Sequence, residues 1–145
     1  SLIQLTSDPS FRIGIRVAGS QQIGILSGQG TSKGLLQLLD NQSTIKVGDI
    51  LVARGSVNNR PFVPGVPVGE VTSVDNAAGA VTQTADVRFF ADFSAISVVS
   101  VVLKGPDTDP RDSLIPAKPM PIPVPTVTVF VTPSQSPSPN SAGSD

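Results

Sequence analysis

The side chains able to act as nucleophiles, bases or metal ligands are few. The chain has no His, Cys, Trp or Tyr. That excludes Ser-His-Asp and Cys-His catalysis, and any zinc, haem or iron–sulfur centre built on His or Cys. One glycine-rich stretch, Ser27-Gly28-Gln29-Gly30-Thr31-Ser32-Lys33-Gly34, invites comparison with a phosphate loop. Its Lys33 precedes the last glycine, however, and no convincing helix follows, so the glycines serve turns rather than a phosphate cradle. Nothing positions a Ser–Lys pair among Ser27, Ser32 and Lys33. Asp107, Asp109 and Asp112 have a cation-like spacing, yet Pro110 interrupts them and the sole Glu of the chain is Glu70. An EF-hand needs a central Gly and a distal Glu, so these aspartates read as a solvated acidic linker. The remaining carboxylates are scattered over turns and strand faces. No catalytic, cofactor-binding or metal-binding residue is assigned, and a non-enzyme without cofactor is expected.

Composition agrees. The 145 residues carry ten Lys and Arg against eleven Asp and Glu, a net charge of −1, so no basic field exists to hold nucleic acid. No apolar run approaches the ~18–20 residues that span a bilayer. No signal peptide is visible. The chain opens almost directly on Leu2-Ile3-Gln4-Leu5, a β-type run, and is expected to be a fragment.

The elements that must position any site are strands. Phe11, Ile13, Ile15 and Val17 fall on one face of an extended run, with Arg12 and Arg16 on the other, solvent-facing side. A turn then leads to Ile23-Gly24-Ile25-Leu26. Leu35, Leu38 and Leu39 fit a helical stripe, but the run is too short for a stable helix and is assigned as a strand. Short runs at 50–53, 66–74, 80–90 and 96–103 follow, the last apolar on both faces as an interior strand would be. Eight short strands in all predict an all-β barrel or sandwich. Beyond residue 104 the composition changes, with ten of the fourteen prolines in residues 105–145. That tail is expected to be extended and Pro/Ser-rich. Within it, residues 126–132 alternate as a strand would, either docking as one or remaining a solvated tail with an apolar patch.

The most unusual stretch is Arg60-Pro61-Phe62-Val63-Pro64-Gly65-Val66-Pro67-Val68-Gly69. Three prolines stiffen it, so Phe62, Val63, Pro64 and Val66 are candidate partner-binding residues that would lose little entropy on docking. The competing reading turns Phe62 inward as a plug for the barrel end.

At this point the sequence resembles a known family. Ile45-Lys46-Val47-Gly48-Asp49-Ile50-Leu51-Val52, the 61–71 stretch, and Ala85-Asp86-Val87-Arg88-Phe89-Phe90-Ala91-Asp92-Phe93-Ser94 are similar, in order and spacing, to the rod shape-determining protein MreC, as are residues 5–17 and 24–28. The resemblance covers roughly residues 2–104. It implies two small β-barrels, the first only partial here. Residues 1–18 and 86–104 would supply that partial barrel and residues 19–85 the second, with 105–145 as tail. It further implies a non-enzymatic scaffold of cell-wall elongation that organises peptidoglycan synthases. Partners would be a class B penicillin-binding protein and an MreD-like membrane protein. The full-length form would be a homodimer or otherwise self-associate. Its place would be the extracytoplasmic side of the cell membrane, anchored through an N-terminal helix upstream of this fragment. Two rivals are the β-barrel module of a periplasmic export adaptor, which would usually carry lipoyl and helical hairpins, and a hydrolase on a degenerate protease-like barrel.

Overall fold

Period-2 patterning puts one face of an extended chain into a core and leaves the other to its surroundings. In the computed structural model, which describes residues 2–40, 44–75, 82–118 and 143, that patterning produces six strands. They are β1 (Arg12–Val17), β2 (Ile23–Gly28), β3 (Lys33–Leu38), β4 (Ile50–Ala53), β5 (Pro67–Asp75) and β6 (Thr84–Phe89). The fold is all-β. Every neighbouring pair is antiparallel, and the order β1-β2-β3-β6-β5-β4 closes through β4 on β1. So small a barrel has room inside only for side chains. Ile15, Val17, Leu26, Leu36, Leu51 and Val87 fill it, all fully buried, with Phe11 and Phe89 at its ends.

Bulges shape the wall at two places. The β4–β5 register shifts between Leu51 and Val52. On β5 the pairing skips from Val71 to Ser73, and the hydroxyl of the extra residue, Thr72, donates to the Asp86 carbonyl at 3.2 Å. Such an insertion bends the strand and tightens its twist, as closure of a narrow barrel requires. Gly34 faces the interior, where a Cβ would come within 2.8 Å of the Phe89 ring. The leucine run at 35–39 is indeed a strand up to Leu38, because β2 and β6 offer it a partner on each side.

Among the described residues the six strands share one closed barrel, in which β1 bonds to β2 and β4, and β6 to β3 and β5. Two expectations change. Residues 96–103 form no strand, and Val98, Val99, Val101 and Leu103 are exposed. The reason is topological: a closed barrel has no free edge left to take another strand. Leu2-Ile3-Gln4-Leu5 is likewise outside the sheet. Residues 76–81, between β5 and β6, and the alternating run at 126–132 lie outside the described residues.

Candidate functional site

The β4–β5 connection is tied down at several levels. Ala53 and Gly65–Val66 exchange backbone hydrogen bonds of 2.8 Å at its base, and higher up the Ser56 amide donates to the Phe62 carbonyl at 3.0 Å. Between them a tight turn at Val57–Asn59 places Asn58 and Asn59 at φ of 58° and 56°. Asn tolerates that left-handed region better than most side chains. The Arg60–Pro61 peptide is cis.

This framework decides where the four candidate residues point. Phe62 is half-buried and meets Phe11 edge to face, with centroids 5.7 Å apart and planes at 88°. It therefore belongs largely to the core margin, as the inward reading anticipated. Pro64 is buried and packs against Gly55, where a Cβ would be 2.8 Å away. Val63 is half-buried, whereas Val66 is 41% exposed. Phe62, Val63 and Val66 come together along a mostly apolar groove of about 500 Å³, and Pro64 does not join them. Val101 and Val102 line the same groove. Sequence reading placed these two in an interior strand and so missed them. Their doubly apolar pattern was the signal, and only the closure of the barrel shows that it has nowhere to pair.

A second constellation lies on the outward face of β1. Arg16 was expected in solvent beside Arg12, but its side chain is only 9% exposed. Its Nη1 donates to Asp109 Oδ2 at 2.6 Å, and its Nη2 lies 3.8 Å from Asp112 Oδ1. Asp112 Oδ2 accepts from the Gly19 amide at 3.0 Å and from Gln21 Nε2 at 3.2 Å. Asp109 and Asp112 are thus bound to the barrel rather than solvated, while Asp107 pairs with exposed Lys104. The hydrogen bond from Arg16 is the chief cause holding the Asp109 carboxyl below its ordinary value, since it favours the charged form. Asp8 and Asp92 are lowered too, each mainly by the hydroxyl and then the amide of the serine two residues on. Both are local turn devices.

The Gly28–Lys33 connection is the tip of the β2–β3 hairpin, with Gly30 at φ 76° and the Gln29 amide on the Lys33 carbonyl at 3.2 Å. Among the described residues no group of three acidic side chains gathers as a metal site would require.

The family profile described as "Rod shape-determining protein MreC, barrel core" matches residues 1–103. Among solved structures, one described as MreC is 25% identical with a TM-score of 0.55, over 65% of this chain and 53% of its own. MreC from Pseudomonas aeruginosa is 26% identical with a TM-score of 0.51, over 60% of this chain and 56% of its own. The chain thus spans little more than half the length of the solved structures it matches. No curated protein sequence matches it. With a profile match across the whole closed barrel and two solved relatives of the same fold, this chain belongs to the MreC family of rod shape-determining proteins.

Proposed function

We propose that this barrel is the partner-binding domain of a non-enzymatic scaffold that shapes the cell by organising peptidoglycan synthases during wall elongation. Membership of a rod shape-determining family carries the cell-shape role. The scaffold reading rests on the mostly apolar groove lined by Val63, Val66, Val101 and Val102, the kind of surface that docks protein. The partner is a class B penicillin-binding protein, with an MreD-like membrane protein and further copies of the same scaffold as other contacts. The working location is the extracytoplasmic face of the membrane, held there by a helix upstream of residue 1.

Calorimetry of the full chain with the extracytoplasmic part of the same organism's elongation transpeptidase tests this reading. Saturable binding that a folded Val66→Asp variant loses is the expected result. Val66 is preferred to Phe62 as the probe because its side chain lies outside the core. Binding unchanged by Val66→Asp removes the groove from the proposal. Absence of binding by the folded chain, and also by a form dimerised through an appended coiled coil, overturns it.

A further inference from the structure

Arg16 presents an unusual situation: a guanidinium nine-tenths buried on the outer surface of a barrel, where an arginine would ordinarily reach water. It is covered by residues 105–115, which lie beyond the profile match. A turn holds the covering segment in shape. The Arg111 amide donates to Asp109 Oδ1 at 2.8 Å, and the Ser113 hydroxyl to the Pro110 carbonyl at 2.8 Å. Its contacts with the barrel are specific in type. Asp109 takes Nη1 of Arg16, Asp112 takes Gly19 and Gln21, and Pro110 seats on Gly65, where a Cβ would collide with its ring. Upstream, Asn59 Nδ2 donates to the Pro106 carbonyl at 3.0 Å.

The geometry points to the Arg16 face as a receptor for an acidic proline turn, Asp-Pro-x-Asp, filled here by residues 109–112 of the same chain. The site has capacity beyond the contacts it makes. Arg16 Nε and Nη2 and Asp112 Oδ1 are buried without hydrogen-bond partners. The latter two face each other at 3.8 Å, just beyond hydrogen-bond reach. A planar fork with unused donors is the group suited to a second carboxylate oxygen. The receptor also governs the groove. Residues 96–103 make no backbone hydrogen bond to the described residues, so Val101 and Val102 are held from below by Asn59–Pro106 and by the turn on Arg16. Filling the receptor fixes that part of the groove lining; emptying it frees that part.

The test uses the full chain and an Asp109→Asn/Asp112→Asn variant, with β-strand amides confirming that both are folded. Two readouts are followed: trypsin cleavage after Lys104, and the Gly19 amide resonance. Losing a charge-assisted bond of this kind shifts a closed–open equilibrium about tenfold. Cleavage is therefore expected to rise about tenfold while the Gly19 resonance moves, with Arg16→Lys intermediate. A synthetic peptide of residues 104–118, added to the variant at roughly millimolar concentration, the range a short tether supplies, returns Gly19 toward its original position. The same peptide carrying both substitutions does not. Equal cleavage and an unmoved Gly19 in the variant overturn the clasp. Faster cleavage with no response to the peptide overturns the receptor.

Discussion

The barrel and the strap that lies across it are built on opposite principles. In the barrel, each strand bonds to two others and every interior position is apolar, so no part can leave without exposing the rest. Residues 96–115 have no sheet partner and hold on through a few polar contacts spaced along the chain, chiefly Asn59 with Pro106 and Arg16 with Asp109. Cooperative burial makes the first all-or-none. Separable polar contacts make the second removable, with a stability set locally rather than globally. Val101 and Val102 of the groove belong to the removable part, and Val66 and Phe62 to the permanent one.

The largest contrast is expected in the core. Leu36→Ala should cost about 2–5 kcal/mol of global stability, because a fully enclosed barrel interior cannot collapse onto the cavity; urea unfolding measures it. A midpoint unchanged from the parent would show that the interior is not the cooperative unit described. Phe62→Ala should cost less, about 2 kcal/mol, since its ring is only half enclosed. An effect near zero would place Phe62 with the strap instead.

Gly65→Ala attacks the junction between the two regions. Gly65 has φ of 81° and lies against Pro110. A methyl group there meets both an unfavourable backbone region and the proline ring. It should free the strap, read as faster trypsin cleavage after Lys104, with a global loss of roughly 1 kcal/mol. Cleavage at the parent rate would show that Pro110 is not a point of attachment.

Acid separates the regions more gently. A carboxylate lowered in the folded state contributes stability that is present above its ordinary pKa and disappears as pH falls through the lowered value. Asp109, facing Arg16 with Arg111 and Asp112 beside it, should hold the strap throughout the neutral range and release it only below 3.8. Because Asp8 and Asp92 are lowered as well, the Gly19 amide, which reports the strap alone, is the resonance to follow. Release near neutrality would contradict the Arg16–Asp109 pairing. The smallest effect belongs to the exposed cross-strand pair Glu70–Arg88, 3.2 Å apart, where Arg88→Ala should cost about 0.2–1 kcal/mol in urea unfolding. A loss of several kcal/mol would mean that the pair braces the β5–β6 bulge.

Much of the barrel could be read from the chain. Alternation in residues 11–17 named the inward face of β1 correctly, because a two-residue period has one structural meaning once an element is extended. The rigid loop at 61–67 was also visible, since proline restricts φ wherever it stands. Its side-chain directions were not: Phe62 and Val66 look alike in sequence, and only Phe11 on one side and open groove on the other tell them apart. Local pattern likewise says that residues 96–103 are apolar and extended, but not whether an edge is free to receive them.

Residue types and their periodicity therefore settled what needs only local chemistry: an all-β class, no His or Cys chemistry, the inward faces of the strands and a family resemblance carried by ordered short runs. Closure of β4 onto β1, the homeless apolar segment at 96–103 and the burial of Arg16 beneath Asp109 and Asp112 depend on partners 34 to 96 positions away along the chain. Such contacts are chosen by which edges and charges remain unsatisfied after the rest of the molecule has folded. Position along the chain carries no record of that competition.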